Sequence, residues 1–453
     1  MRRNTPVLVV LLILLVLSLV VMSELAKQPA RYGTISIDYN KPLRLLAPKA
    51  FGMDISGYFY PDVFANDVVE QQKIKALGIK YMRMHLLYST SGDAGSKIIC
   101  GGDGCDKRWS GDDWITAIKN IGAEPVVTIS ADSARDAANM VQHFNRDTNN
   151  TVHSWIIGNE PNANGVSPQS YGNTFNQDYD AMKAVDPTIQ IGGGATAWYD
   201  DNWLRQFLQV SGQRIDFVDF HGYAQEGKVA GDYTQLFHLA DGYGKSVTEL
   251  RKIIQETIPA RASKIGIEVG EWELDWGGSA QNDTNFHAVW TATVLGGILK
   301  AGGWSLFYAD KGNLLYGSPH VFTEAHGRKV SIAQDDTNPA YHGIGMFTGE
   351  GRFRSFGTTM VDATTNLPNI EVFASDHEKN IVVINKDPSA AQTATIQLKG
   401  ITSATIEIWR KDDSVSFLNP PIKLETLTAE NGTFTYSLSP FSVTTFIVQT
   451  NPS

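Results

Sequence analysis

The stretch Ser154-Trp155-Ile156-Ile157-Gly158-Asn159-Glu160-Pro161-Asn162 sets the fold of this chain. A short apolar run breaks off in a polar cluster, and Pro161 has no N–H with which to continue a ladder. It therefore reads as a buried strand that delivers a carboxylate at its C-terminal end. Ile265-Gly266-Ile267-Glu268-Val269-Gly270-Glu271-Trp272 repeats the device. Outward from these two, short apolar runs alternate with amphipathic stretches from about residue 48 to 348, the pattern of β/α units around a parallel sheet. The predicted strands are Ala50–Ile55, Tyr81–Leu86, Glu124–Ile129, Ser154–Gly158, Ile189–Gly193, Phe217–His221, Ile265–Gly270 and Trp304–Tyr308. Helical patterns fall between them, at Asp67–Leu77 and Trp203–Val210 for example. Eight strands with crossover helices over this length predict an α/β protein built on a closed (β/α)8 TIM barrel. A doubly wound open sheet is the competitor, but no G-x-G-x-x-G follows the first strand.

Beyond Gly349 the period changes to two. Ile370–Ala374, Asn380–Asn385, Thr393–Leu398, Ala404–Trp409, Thr433–Leu438 and Val443–Val448 are separated by turn residues such as Asn431-Gly432. This predicts an antiparallel β-sandwich. An isolated strand-like piece, Gly33–Asp38, precedes the barrel and is expected to cross over and pair with the sandwich. The expected organisation is 1–28 signal peptide or anchor, 29–46 linker and crossing strand, 47–348 barrel, and 349–453 sandwich.

Composition narrows the function. The 453 residues carry a net charge of −10 with no basic stripe, so nucleic acid is not an expected partner. An apolar share of 42% supports a packed core, and 41 Gly with 18 Pro exclude disorder and collagen-like repeats. Arg2 and Arg3 precede the apolar run Pro6–Met22, which is long for a signal-peptide core and short of the about 20 residues of a spanning helix. A cleaved signal and an uncleaved membrane anchor both stay open, and either exports the rest to the periplasm or beyond. In an oxidising compartment Cys100 and Cys105, flanking a Gly-rich loop, are expected to form a small disulfide; two free thiols are the alternative. No ligand cluster of the H-x-H kind ends a strand, so neither metal nor cofactor is expected, and a monomer is expected.

The reactive groups of such barrels project from the C-terminal strand ends. Glu160 and Glu271 end the fourth and seventh strands, across one mouth, at a separation compatible with the roughly 5 Å of retaining glycosidases. An ionised Glu271 would favour the protonated form of Glu160, suiting Glu160 as proton donor and Glu271 as nucleophile. Glu268 is the local rival; strand alternation puts Ile265, Ile267, Val269 and Glu271 on one face and Glu268 on the other, which sets it aside.

Several segments resemble retaining glycoside hydrolases of the Asn-Glu clan, family 39 in particular. Arg83-Met84-His85 is similar to that family's Arg-x-His, Ser154–Asn162 to its Trp-x-x-x-Asn-Glu-Pro-Asn, and Gly192–Thr196 to its Gly-Gly-Pro-Ala. Asp216–Tyr223 is similar to its Asp-Phe-x-Ser-x-His-x-Tyr and Gly270-Glu271-Trp272 to its Thr-Glu-Trp. The resemblance implies Glu160 as acid/base and Glu271 as nucleophile. It implies Arg83 beside the nucleophile, Asn159 on the sugar 2-hydroxyl, and His221 and Tyr223 orienting the carboxylates. His85, Trp272 and Tyr308 are further candidates for substrate contact; His85 reads equally well as a core histidine. Gly194 replaces the family's Pro, Asp219 its Ser and Gly270 its Thr, and the eighth strand lacks the family's Trp.

The layout also resembles a membrane-associated endoglycosidase of that family linked to a bacterial exopolysaccharide. That implies endo action on an extracellular or capsular polysaccharide. Tyr88, Trp109, Trp198, Tyr199, Trp272, Trp276, Tyr308 and Tyr316 crowd the loop-bearing ends, where flat rings stack on sugars, while Trp155 and Trp290 are expected in the core. An exo-acting β-xylosidase-like enzyme and a non-catalytic polysaccharide-binding export factor are the alternatives. Retention of both carboxylates disfavours the latter.

Overall fold

The computed structural model of the chain describes residues 31–55, 64–88, 98–100, 109–227, 230–277, 279–309, 313–324, 327–414 and 416–450. The apolar head and Cys105 with its loop lie outside them, and Cys100 is described only as the end of a strand. No described helix is long and apolar enough to cross a membrane.

The chain opens with β1 (Arg31–Leu45), then β2 (Gly52–Asp54), β3 (Tyr81–Tyr88), β4 (Ile98–Cys100), β5 (Glu124–Ser130) and β6 (Ser154–Ile157). Next come β7 (Gln190–Thr196), β8 (Phe217–Gln225), β9 (Gly266–Asp275) and β10 (Trp304–Tyr308). Strands β2, β3, β5, β6, β7, β8, β9 and β10 pair in parallel in that order, and β2 bonds to both β3 and β10, so the sheet closes. All eight expected strands are present. The short β4 adds an antiparallel flap to the end of β3. Val126, Ile156, Phe217, Trp304 and Leu306, from four different strands, meet one another and fill the lower barrel.

Several of the helices between the strands carry start or stop signals in their sequence. Val68–Leu77 is capped by Asp67, which accepts from Val69 and Glu70 N–H, and ends at Gly78 in the left-handed region at φ 80°. Gly111–Asn120 opens on a Ser110/Asp113 capping box, and Asp201–Ser211 on Asp200. The last barrel helix, Pro339–Thr348, starts with Pro after its Asn338 cap and stops at Gly349.

A hairpin of β11 (His320–Thr323) and β12 (Lys329–Ile332) occupies the long connection after β10. The second sheet holds β13 (Thr359–Thr365), β14 (Ile370–Asp376), β15 (Asn380–Asn385), β16 (Gln392–Lys399), β17 (Ser403–Lys411), β18 (Ile422–Glu430), β19 (Thr433–Leu438) and β20 (Ser442–Gln449). β1 crosses into it as expected, antiparallel to β13 and parallel to β16, and thereby closes this sheet as well. Among the described residues the closure leaves this sheet no edge strand open for pairing with another chain. Asn431 and Gly432 both take positive φ, the two-residue turn that joins β18 to β19.

Where the sequence predicts a two-sheet sandwich, the structure has this single closed sheet, and it docks on barrel helices. Phe373 packs on Phe347, while Phe441 meets Tyr233, Phe237 and Phe286. Thr445 Oγ1 donates to Met346 O at 2.7 Å, and Arg44 Nη1 to Ala301 O at 2.6 Å. Phe373, Val382, Ile384 and Val443 thus belong to the same apolar core as the barrel helices.

Candidate active site

The loop after β6 turns sharply. Glu160 sits at φ 48°, a left-handed conformation that L residues avoid, and its N–H donates to Ala195 O at 2.8 Å. Asn162 Oδ1 accepts from Ala197 N at 2.8 Å, strapping the loop to the end of β7. The strain aims Glu160 over the barrel mouth. On β9 the register slips: Phe220 pairs with Val269, but His221 pairs with Glu271, and Gly270 absorbs the extra residue. The bulge turns Glu271 inward.

The strand-alternation argument about Glu268 is therefore corrected. Ile267 and Val269 join the large core under the helices, whereas Glu268 lies inside the barrel, fully buried, 3.6 Å from Lys49 Nζ. That ammonium sits 4.3 Å over Phe217 and 4.2 Å over Trp304, the interior rings. Burial pushes Glu268 up to about 7 against the pull of Lys49. What separates it from the site is depth, not face.

Arg83 organises the mouth. Its Nη1 donates to Glu271 Oε1 at 2.5 Å and Asp54 Oδ2 at 2.6 Å, Nη2 to Asn159 Oδ1 at 2.8 Å, and Nε to Thr128 Oγ1 at 2.7 Å. Tyr223 O–H donates to Glu271 Oε2 at 2.7 Å. Burial alone would raise the pKa of Glu271; His221, Arg83 and the Tyr223 hydroxyl outweigh it and hold the carboxyl below its usual range. Glu271 is thus an ionised group with both oxygens held. Burial and the adjacent carboxylate push Tyr223 well above its usual range, so it keeps the proton it donates.

His221, fully buried, places Nδ1 3.0 Å from Glu160 Oε1 and 3.5 Å from Glu271 Oε2, with Nε2 3.6 Å from Asp219 Oδ2. Burial opposes its charge, but Glu271, Asp219 and Glu160 prevail, and the ring is pushed up to about 10. One oxygen of each glutamate and a nitrogen of His221 all lie within 4.8 Å of one another. By distance the three could surround a cation. However, Arg83 already occupies Glu271 and His221 is itself positive, so an added cation would face two fixed positive charges. Glu160 differs from Glu271 in exposure, 31% against 6% of the side chain.

A cavity of about 860 Å³ opens above the pair, lined among others by Asn159, Trp198, Tyr223, Leu239, Trp276 and Tyr308. Of the expected residues, Glu160, Glu271, Asn159, His221, Tyr223 and Tyr308 line it, and Arg83 stands directly behind Glu271. Tyr308 meets Tyr223 edge-on at 5.7 Å. One expectation of substrate contact is corrected. Trp272 is fully buried behind the barrel wall against Trp290 and Phe307, its Nε1–H on Ser305 Oγ at 3.0 Å. His85, about as buried as Glu271, places Nε2 2.9 Å from Ser130 Oγ, and burial and Arg83 push it down to about 4, which favours the neutral ring. Tyr316 is also interior, donating to Asp283. Trp198 and Trp276 are half exposed on the cavity rim. Sequence reasoning missed Asp54, a lone acid in the apolar stretch Phe51–Ile55, and Thr128; both hold Arg83.

Residues 137–329 match the family model "Glycosyl hydrolases family 39". The chain is family-39-like. This segment includes Asn159, Glu160, His221, Tyr223, Glu271 and Tyr308. A stretch of 97 residues is 32% identical to a "Beta-xylosidase" of Geobacillus stearothermophilus; it covers 19% of this chain and 19% of that relative, so the similarity reaches about a fifth of the relative's length. Among solved structures, the α-L-arabinofuranosidase of Thermotoga maritima superposes with a TM-score of 0.71 at 18% identity, over 92% of this chain and all of the other. CelM2, a bifunctional glucanase-xylanase from a metagenome library, gives 0.68 at 15% identity over 94% of this chain and 100% of its own. A Paenibacillus polymyxa xyloglucanase of glycoside hydrolase family 44 gives 0.69 at 15%, covering 93% and 100%. At these identities the structural likeness establishes the fold: a TIM barrel joined to a β-rich domain.

Proposed function

We propose that this family-39-like chain is a retaining glycoside hydrolase that cuts within an extracellular or capsular polysaccharide. The observation that carries the chemistry is the approach of the two carboxyls to within 4.8 Å, near the about 5–5.5 Å at which one carboxylate attacks directly and no water fits between. Glu160 passes its proton to the glycosidic oxygen as the C1–O bond breaks, and a Glu271 oxygen forms an ester to C1. Water then attacks C1, giving its proton to Glu160 and freeing Glu271. Arg83 and Tyr223 hold the nucleophile ionised and oriented. Asn159, fixed by Arg83, offers its amide to the substrate's 2-hydroxyl, a bond that strengthens as the oxocarbenium character grows. Endo action is supported by the exposed rims at Trp198 and Trp276. The apolar run Pro6–Met22 behind Arg2 and Arg3 supports work outside the cytoplasm. The β-xylosidase similarity favours exo action as the second reading.

The test is to incubate the protein with a panel of bacterial and plant polysaccharides and size the products. A ladder of oligosaccharides is expected; monosaccharide alone supports the exo reading, and no product from any glycan or aryl glycoside refutes both. Glu160→Gln should lose far more on substrates with poor leaving groups than on activated aryl glycosides, and equal losses refute its role as acid.

A further inference from the structure

Two departures from the family pattern, Asp219 for Ser and Gly270 for Thr, meet in space. A Cβ at Gly270 would lie 2.3 Å from Asp219 Oδ1 and 2.6 Å from Oδ2. Asp219 therefore fills the volume that a side chain at 270 would need, so the family's Thr at 270 does not fit beside Asp219 as it stands. Filling a hollow does not call for a charge. Asp219 is fully buried, and neither of its oxygens has a hydrogen-bond partner among the described residues. Such a carboxylate is costly unless it serves a cation. The nearest is the His221 ring, with Nε2 at 3.6 Å, an ion-pair contact longer than a hydrogen bond.

The groups facing His221 are Glu160 from the end of β6, Glu271 from β9, Asp219 from its own strand, and Arg83 and His85 from β3. Lys49, Glu268, Arg83 and Tyr171 reach Asp219 electrostatically from below and behind. Of the three carboxylates on His221, two change during a double displacement. Glu271 loses its charge when it becomes an ester, and Glu160 changes with each proton transfer. Asp219 touches no reacting atom and takes part in neither the ester nor the proton transfers.

We propose that Asp219, seated in the hollow of Gly270, is a positioning residue that keeps His221 cationic through both half-reactions and so favours Glu160 as the carboxylate base of the second. This rests on the assignment of Glu160 and Glu271 proposed above. With an uncharged residue at 219, esterification of Glu271 would leave Glu160, ionised by the first proton transfer, as the one remaining carboxylate against His221, and that charge is lost as Glu160 takes the proton of the attacking water. The ring would then release its proton more readily, and its Nδ1–H would no longer support the Glu160 carboxylate.

The experiment follows His221 and turnover side by side in the full chain, in Asp219→Asn and in the double variant Asp219→Ser/Gly270→Thr, which refills the hollow with the family's pair. In [15N]histidine-labelled protein, with the signal assigned by its loss in His221→Gln, the unsubstituted ring should stay protonated through neutral pH. Both variants should bind that proton at least tenfold more weakly. On 2,4-dinitrophenyl β-glycosides, whose good leaving group makes the second step limiting, kcat should fall about tenfold while kcat/KM, set by the first step, changes less than threefold. An unchanged titration, or equal losses in kcat and kcat/KM, overturns the proposal. The double variant decides the matter if Asp219→Asn does not fold. Absence of turnover by the unsubstituted chain on every glycoside refutes the glycosidase reading, and the titration separately decides whether Asp219 sets the charge of His221.

Discussion

Tyr223→Phe tests the environment of Glu271, the proposed nucleophile, with the least disturbance. It removes one oxygen, leaves the ring against Tyr308, and deletes the 2.7 Å hydrogen bond to Glu271 Oε2. A hydrogen bond to a charged group contributes about 1.5–3 kcal/mol. Glu271 keeps Arg83 on its other oxygen and His221 nearby, so the lower end of that range applies. At 1.36 kcal/mol per unit, the Glu271 pKa should rise by about one unit. The sign is fixed: the hydroxyl stabilises the carboxylate, so removing it makes the proton harder to lose. The acidic limb of the kcat/KM profile, which reports ionisation of the nucleophile, should therefore move to higher pH by about one unit, and kcat/KM at the optimum should fall about tenfold or more. Stability should follow the same sign. A carboxyl held below its ordinary value stabilises the fold above that value, and the contribution is lost as pH falls through the folded pKa. The variant's deficit in thermal or denaturant unfolding should thus be full at neutral pH and shrink in acid. A lowered kcat/KM with an unmoved acidic limb would show that Tyr223 serves the sugar and not Glu271, and would refute the argument.

Three other substitutions follow from the geometry. Trp272→Ala should cost about 3–5 kcal/mol in denaturant unfolding, because the ring is a buried wedge, while KM stays unchanged in whatever folds. Trp198→Ala should leave stability within about 0.5 kcal/mol but raise KM for oligosaccharides about tenfold, if that half-exposed ring stacks on the chain; an unchanged KM would remove it from the substrate path. Gly194→Pro restores the family's residue yet should destabilise by about 3 kcal/mol or more, since φ is 94° here and proline requires about −65°. A folded, equally stable Gly194→Pro protein would show that β7 does not end as described.

Much of the architecture was legible because it rests on local signals. Each barrel strand is a short apolar run bounded by caps and turns, and the closing β1 stood out as a strand without a neighbour. Strands β13 and β18 were not legible. Thr359–Thr365 has an apolar pair, Met360-Val361, among three Thr and an Asp, and the mostly exposed Ile422–Glu430 breaks its alternation at Thr426–Leu427, so neither carries one clean period. In the site, residues at strand ends could be placed because strand position dictates where they project. Asp54 and Lys49 could not, since their importance lies in pairing with Arg83 and Glu268, far away in sequence. Trp272 was misplaced for a related reason: the residue after the inward-facing strand-end Glu271 points to the other side of the wall, into the helices.

The failure of strict alternation at Glu268 has a wider meaning. Three successive strand pairs slip register at the same height: β7 with β8 between Gly193 and Thr196, β8 with β9 at Phe220/His221, and β9 with β10 between Ser305 and Phe307. Below that layer, alternation governs and the interior is Val126, Ile156, Phe217 and Trp304 with the Lys49–Glu268 pair. Above it, the bulges turn Glu271 inward beside His221, while the adjoining Gly194–Ala195 kink, both residues at positive φ, offers the carbonyl that holds Glu160. A regular barrel of this sequence would face Glu271 toward the helices, where an ionised carboxylate has no partner. The irregularities are therefore what converts a packed β/α core into two opposed acids. The glycines at 194 and 270 are the residues that let the backbone make the change, one by its φ of 94° and the other by ceding its side-chain volume to Asp219.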